Sequence, residues 1–389
     1  MPEPRYKVAF VESDAGMVAL APEWRRLYAR CPDAHPYSTF EWALNSLRFG
    51  VRGCGPVVAV ASCGDEIVGL APLCQTAVLG STVLQYLHCR PYGYVGPLVE
   101  PNHADAAAVL AEQCRRHLPG ALLYCQEHSA EDLAAARLFK SYAGGTQSVD
   151  VWERPASWCI PLGGTFDTYV SRHSGASRKS LRRDERRLKA AFEVETLCLR
   201  GSEVTNDTVD RMLAIQLRSW MVPRGAVSLR LPFYREVIPA FGTAGNVEVW
   251  ILQLDGKDVA YQILFLSQKR VYAHNTAFDI RYGEYSPGTM LMMFMLRDLF
   301  GRGQQEFDLL QGDGWCKRWW GERQRANYGA VAYEGGLGWL ASWWPYRWQG
   351  WFARRPRLKL AVKSGLGKVQ QLVGSAVEDR GRVLRRWRR

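Results

Sequence analysis

The stretch Phe307-Asp-Leu-Leu-Gln-Gly-Asp-Gly-Trp-Cys-Lys-Arg-Trp-Trp-Gly321 gathers side chains that can hold or move a proton. Asp308 stands in a short apolar run, Asp313 lies between Gly312 and Gly314, and Lys317 follows in the same glycine-rich turn. A carboxylate in or just after a buried strand can orient or deprotonate an amine or hydroxyl, and burial tunes its pKa. Lys317 could pair with Asp313 or with a phosphate. Upstream, Tyr285-Ser-Pro-Gly-Thr-Met opens an apolar run to Phe300. Ser286 has an N-cap side chain, Pro287 suits the first helical position, and Gly301 and Gly303 can stop the helix. Unpaired N–H groups at the positive end of such a helix bind phosphate, so Ser286, Pro287, Gly288 and Thr289 form a candidate pyrophosphate loop, with Gly288 permitting close approach. The same residues also suit a capped core helix.

Asp279, Glu284 and His274 are further base candidates, although a lone histidine in Tyr272-Ala-His-Asn-Thr276 also reads as structural. Cys316 as a nucleophile is a competing chemistry, weakened by the lack of a histidine nearby in sequence. No Gly-x-Ser-x-Gly elbow occurs, and Gly365-Leu-Gly-Lys368 lacks P-loop spacing. The ten cysteines include no Cys-x-x-Cys pair or Cys/His cluster, so no metal site is expected, and they read as reduced thiols.

The surrounding pattern is that of an α/β (α+β) chain with a mixed sheet. Helical periodicity is expected at Pro22–Ala29, Thr39–Phe49, Ala104–Leu118 and Glu131–Ala143. Strands are expected at Val57–Ala61, Ile67–Leu73 and 121–125. Residues 153–164, with two Pro and two Gly, are the expected boundary. Beyond them, helices at Asp207–Trp220 and Phe233–Phe241 precede strands at Val247–Leu254 and Val259–Leu266, joined through Asp255-Gly256, a strong hairpin signal. A strand at Val271–Ala277, a helix at Gly288–Phe300 and a strand at Phe307–Leu310 follow. The second half thus repeats the first half's order of elements without repeating its sequence.

A chain of 389 residues is long enough for two domains. The net charge of +12 suggests nucleic acid until its distribution is considered. Residues 336–389 hold thirteen Lys/Arg against Glu378 and Asp379, leaving 37 basic and 36 acidic groups in the remainder. Trp339, Trp343, Trp344, Trp348 and Trp351, followed by clustered arginine, suit a membrane interface, and an amphipathic basic helix is expected after them. Packing against a partner and single-stranded nucleic acid rank below that reading. A second basic segment, Ser171–Lys189, spaces Leu181 and Leu188 for one helical face. It is either a solvated helix or an anion-binding face for an acidic acceptor or a nucleotide phosphate. No secretion signal or membrane-spanning run is visible.

Tyr285-Ser-Pro-Gly, Phe307-Asp-Leu-Leu-Gln-Gly-Asp, Lys317 and Ser180-Leu-Arg-Arg together resemble the acetyltransferase subfamily associated with the cellulose-biosynthesis protein CelD, within the GNAT superfamily. The likeness extends loosely to Phe40-Glu-Trp42 and Val68-Gly-Leu-Ala-Pro-Leu73. Cys316 departs from it, because a tyrosine is common there. The resemblance implies two tandem GNAT-like domains, similar to the Fem-type aminoacyltransferases. These would be a degenerate N-terminal domain over 1–155, an acyltransferase domain over 156–335, and a basic Trp-rich tail over 336–389. It also implies direct transfer from acetyl-CoA or another acyl-CoA, used as co-substrate with no permanently bound cofactor. Residues 286–289 would hold the pyrophosphate and Asp308, Asp313 and Lys317 would line the acceptor side. Arg182, Arg183 and His274 are assigned to substrate binding. The expected acceptor is a sugar, amine or lipid-linked intermediate of envelope or exopolysaccharide synthesis. The expected location is cytoplasmic, peripheral on the inner membrane, with an anionic membrane surface engaged by 339–389. Aminoacyl transfer from tRNA and a non-catalytic membrane-docked scaffold are the alternatives.

Overall fold

The computed structural model describes residues 5–333, apart from 51–52, 79, 89–92, 145–147 and 226. The expected Trp-rich tail, 336–389, lies outside the described residues. Helices are α1 (Asp14–Ala19), α2 (Ala21–Arg30), α3 (Phe40–Phe49), α4 (Ala106–His117), α5 (Leu133–Tyr142), α6 (Phe166–Ser171), α7 (Gly175–Ala191), α8 (Asn206–Gln216), α9 (Pro232–Thr243), α10 (Pro287–Leu299) and α11 (Trp315–Trp320). The first-half strands are β1 (Lys7–Val11), β2 (Gly55–Cys63), β3 (Glu66–Val78), β4 (Ser81–Tyr86), β5 (Leu98–Val99), β6 (Leu122–Ser129) and β7 (Ser148–Pro161). The second-half strands are β8 (Val194–Arg200), β9 (Val247–Leu254), β10 (Lys257–Leu266), β11 (Arg270–Phe278), β12 (Glu306–Gln311) and β13 (Arg323–Tyr333). Among the described residues, no helix is long and apolar enough to cross a membrane.

One mixed sheet runs β1-β2-β3-β4-β6-β13-β7-β12-β11-β10-β9-β8, with β5 beside β3. Each half lays down four antiparallel strands, then crosses by a helix to a parallel fifth: β4 to β6 through α4, and β11 to β12 through α10. The closing strand of each half is exchanged. Strand β7 pairs with β12 of the second half, β13 returns to pair with β6 of the first, and β7 and β13 lie antiparallel at the centre. The interval 153–164, where the boundary is expected, is therefore largely sheet. Pro155 sits where the β7–β13 register shifts, so its missing N–H falls at an irregularity in the ladder.

The local signals produce the expected elements, with shifted ends. Asp255 and Gly256 both take positive φ, the requirement of a two-residue hairpin turn whose twist suits β9 and β10. Helix α8 stops at Gln216 instead of Trp220, because Ser219 folds its hydroxyl back onto the Gln216 carbonyl and receives the Met221 N–H. Leu181 and Leu188 are the buried residues of α7, as their spacing implies.

Four helix layers cover the sheet. In the first half α4 and α5 cover one face and α1 to α3 the other. In the second, α6, α7 and α10 share a core with the faces of β9 to β12, while α8 and α9 fill the opposite side. That last core is shared between the halves: Tyr37, Trp42 and Tyr94 from the first half pack among Phe233, Phe241 and Phe265 from the second. Trp42 is 1 % exposed and meets the Phe233 ring edge-on at 4.9 Å. Trp42→Ala would leave an indole-sized void there and should lower stability by about 3–5 kcal/mol. Urea unfolding of the purified variant measures it.

Candidate active site at the seam

Parallel strands β11 and β12 stay paired for only three residues, the last pair being Tyr272 with Asp308. Beyond that point both are irregular. His274 has no register partner on β10, while β12 loses its register with β7 between Asp308 and Gln311. Leu310 takes φ 60° and Gly312 φ 118°, which turns the chain sharply into the loop before α11. Irregular, left-handed backbone of this kind collects at functional sites because it re-aims side chains.

Asp308 is fully buried. Its Oδ2 accepts from Tyr94 Oη at 2.8 Å and from Arg325 at 2.5 Å, and its Oδ1 accepts from the Leu310 N–H at 2.6 Å. Burial pushes the carboxyl pKa up, opposed first by the Arg325 charge. Three donors occupy this carboxylate, so it positions its neighbours. Arg325 also binds Glu306 and reaches Glu131 at 2.9 Å. Cys159, Glu306 and Asp308 offer metal-type ligand atoms within 4.8 Å of one another, but the Arg325 guanidinium already supplies the counter-charge to both carboxylates.

Lys317 is delivered to the same place by α11. Its Nζ donates to the carbonyls of Leu310 at 3.2 Å and Gln311 at 2.6 Å. An ammonium has three protons, so one remains for a ligand. Burial pulls its pKa down to about 8, although Asp308, Cys316 and Glu127 all favour the charged form. Asp313 lies outside this cluster: its side chain is 66 % exposed and pairs with Arg318 at 3.3 Å. Cys316 is exposed on α11, and desolvation of its sulfur pushes the thiol pKa up, away from a nucleophilic thiolate.

From the first half, Glu127, which the sequence did not single out, comes within electrostatic reach of Lys317. It sits near the end of β6 and is 2 % exposed. Its Oε1 accepts from Asn327 Nδ2 at 3.3 Å, whereas its Oε2 is buried with no hydrogen-bond donor and has the Arg154 guanidinium at 3.7 Å. Burial raises its pKa to about 8, against the pull of Arg154 and Lys317. Asn327 Nδ2 also donates to Ser157 Oγ at 2.9 Å, and that hydroxyl lies 2.7 Å from Tyr94 Oη. A continuous polar chain, Glu127–Asn327–Ser157–Tyr94–Asp308, thus crosses the four central strands and joins the halves. Most of these contacts span 170 or more residues of sequence, so no local motif could reveal them.

The first half has a matching three-residue parallel pairing between β4 and β6. There the chain itself closes the ladder, since the Val95 N–H donates to the Glu127 carbonyl at 2.9 Å.

The turn before α10 differs from its sequence reading. Ser286 does occupy the N-cap, but in the left-handed region (φ 52°, ψ 48°), and its side chain makes no capping bond. The Thr289 and Met290 N–H groups return to the Ser286 carbonyl, and Pro287 has no N–H, so Gly288 supplies the amide that the turn can offer an anion. A side chain at Gly288 would meet the Phe278 ring, whose nearest atom is 3.2 Å from the Cβ position. Helix α7 runs alongside: Phe192 just beyond it meets Tyr285 edge-on at 4.9 Å, Arg187 lies over the same ring, and Glu185 forks onto Arg297 of α10 at 2.9 and 3.1 Å. Arg182 and Arg183 are exposed on α7, and Arg183 bonds within its own helix to Ser180 and Asp184. His274 is not available to a substrate. Tyr37 and Tyr234 hold its two ring nitrogens at 3.3 and 3.0 Å, Phe265 stacks on its face, and burial lowers its pKa to about 3.

Residues 175–319 match the family model of the acetyltransferase (GNAT) domain. No curated protein matches the chain. The fold is similar to the crystal structure of FemX, with TM-score 0.58 and 10% identity, covering 83% of this chain and 96% of that one. It is also similar to the C-terminal domain of a putative lysylphosphatidylglycerol synthetase from Agrobacterium fabrum, with TM-score 0.54, 14% identity, and 85% and 94% coverage. At these identities the two structures establish the architecture. The match assigns residues 175–319 to a GNAT-type acetyltransferase domain and supports a transferase enzyme, and the parted strands, the turn before α10 and Lys317 all lie within the matched segment.

Glu127 also leaves a thermodynamic signature. A glutamate titrates near 4.3 when unfolded, so a folded pKa of about 8 means that the folded state holds a proton which the unfolded state has lost between those values. Stability contributed at this site therefore falls as pH rises from about 4 to about 8. Glu127→Gln should match the wild type near pH 4 and exceed it by on the order of 2 kcal/mol near pH 8, as read from urea midpoints across that range.

Proposed function

We propose that the protein transfers an acyl group directly from acyl-CoA to an amine or hydroxyl acceptor. The second half, over 156–335, holds the donor, and the first half contributes Glu127 to the acceptor side. The observation that carries this reading is the polar chain that joins Glu127 to Asp308 at the turn whose Leu310 carbonyl Lys317 binds, beside strands that part. The turn at 286–289, flanked by the cations of α7, suits the donor's phosphates. Direct transfer needs an oriented pair of substrates, stabilisation of the thioester oxyanion and removal of one acceptor proton. Lys317 supplies the positive charge for the oxyanion. Glu127 takes the proton, and the nucleophile bonds to the carbonyl carbon as CoA leaves as thiolate. Asp308 holds the turn that aims Lys317.

Polysaccharide or lipid-linked acceptors, as the CelD-like resemblance implies, fall within this proposal. A second reading is aminoacyl transfer from tRNA. It is favoured by the FemX-like fold together with the exposed cations of α7 beside the donor turn.

Two experiments test the proposal. Calorimetric titration with acetyl-CoA and longer acyl-CoAs should show saturable binding that Gly288→Trp abolishes. Binding of aminoacyl-tRNA with no acyl-CoA binding would select the second reading, and no binding of either would favour a non-catalytic scaffold. In turnover, the base form of Glu127 and the acid form of Lys317 are needed together, so kcat should peak near pH 8 and fall on both sides. Lys317→Met should lower kcat by about 10²–10³-fold, and Glu127→Gln should remove the acid limb along with most of the rate. A flat profile in wild-type enzyme would exclude this pair.

A further inference from the structure

Large apolar side chains are left well exposed at eleven described positions, and five of them, Leu217, Trp220, Val222, Leu231 and Ile280, belong to one surface beyond the end of α8. The chain ties these segments together. The Ile280 N–H donates to the Arg218 carbonyl at 3.1 Å, and the Leu229 N–H donates to Gln216 Oε1 at 3.1 Å, which brings the approach to Leu231 beside the end of α8. The outward direction is fixed by packing, because the intervening Met221 and Leu229 are buried in the core shared by the two halves. Exposure is 57 % for Ile280 and 40 % for Leu217. An apolar patch held outward by a packed loop marks an interaction site.

The charges among these side chains are mostly positive, with Asp279 beside Ile280 shared by Arg218 and Arg281. Residues 217–231 contain Arg218, Arg224 and Arg230 and no acid, and Arg281 follows Ile280. Arg224 lies over the Trp220 ring at 4.8 Å. A cleft of about 610 Å³ adjoins the patch, and its walls carry Arg211, Arg218, Lys257 and Arg281 together with Asp258 and Asp279; Arg211 pairs with Asp258, and Arg218 and Arg281 share Asp279, so the walls keep an excess of positive charge with Lys257 outside these pairs. We infer that this surface docks the folded body onto an anionic phospholipid bilayer. Its tryptophan and aliphatic side chains enter the interfacial layer, and the exposed Arg224, Arg230 and Lys257 meet lipid phosphates. The other candidate occupants fit poorly. A second copy would set arginine against arginine, and the chain's own 336–389 segment carries a net charge of +11. Nucleic acid would gain no stacking from Leu217, Val222, Leu231 and Ile280.

This inference does not depend on the acyl-CoA reading, though the two would meet in space. Ile280 and Arg281 open the turn that leads to Ser286, so docking sets the donor turn at the lipid surface. The test is sedimentation of the full chain with phosphatidylcholine vesicles, with and without phosphatidylglycerol, at physiological salt. Wild type should bind the mixed vesicles at least about tenfold more tightly than the neutral ones. Trp220→Glu/Ile280→Glu should lose about tenfold or more on the mixed vesicles, while Trp220→Phe/Ile280→Leu binds as wild type does. Matching thermal melts establish that both variants fold. Unchanged vesicle binding by the Glu variant, with or without a loss of self-association in sedimentation velocity, would overturn the inference. Equal wild-type binding to neutral vesicles would overturn its anionic half.

Discussion

The buried guanidinium of Arg325 is the contact on which the seam depends. It is 2 % exposed in its side chain and spreads its donors over Asp308, Glu306 and Glu131. A charge removed from water is costly unless it is paired and fully hydrogen-bonded, and here the pairing draws on three elements: β13 carries the cation, β12 carries two of the anions, and Glu131 follows β6. The cost of leaving any of these charges alone fixes the register of the central strands. That register in turn sets Asp308 under the turn where Leu310 and Gly312 depart from ordinary strand geometry, and so determines where Lys317 arrives. The polar chain from Asp308 to Glu127 is held by the same arrangement. The arrangement at the seam thus follows from solving a burial problem between the two halves of one sheet.

Much of the scaffold was legible because its causes are local. Asp255-Gly256 requires positive φ at consecutive positions and produces a hairpin; Pro287 begins a helix wherever its preceding residue permits; Leu181 and Leu188 lie two turns apart and therefore share a face. The start of α10 was legible by residue type but misread in conformation, because Ser286 adopts a left-handed backbone that removes its hydroxyl from the cap. Lys317 was found through its glycine-rich surroundings. Asp313 was grouped with it by proximity in sequence, yet the turn at Gly312 and Gly314 sends the two side chains to different environments.

Glu127, Tyr94 and Arg325 were not legible for a different reason. Nothing adjacent to Glu127 distinguishes it from a carboxylate at a solvent-exposed strand end; its burial follows from β13 and β7 closing over it, and Asn327, its hydrogen-bond donor, is 200 residues away in the chain. The interval 153–164 hid its structure on the same grounds. Proline and glycine there marked a boundary between halves, and long-range pairing makes most of that interval a central strand. His274 illustrates the opposite error, a residue whose chemistry invites a role but whose two nitrogens are consumed in an aromatic core.

The exchange of β7 and β13 has a consequence for how the protein must be made. Strand β6 has its first-half neighbour β4 on one side, but on the other it has no partner until residues 323–333 exist, because the ladder there belongs to β13. A nascent chain that has completed its first 300 residues therefore presents an open sheet edge at β6, with Glu127 uncovered beside it, for the whole time the second half is being synthesised. Strand β13, the last of the described strands, both seals that edge and completes the polar chain at the seam. A chain lacking β13 would accordingly be a sticky intermediate, and chaperone contact during translation would centre on the apolar edge that β13 later covers.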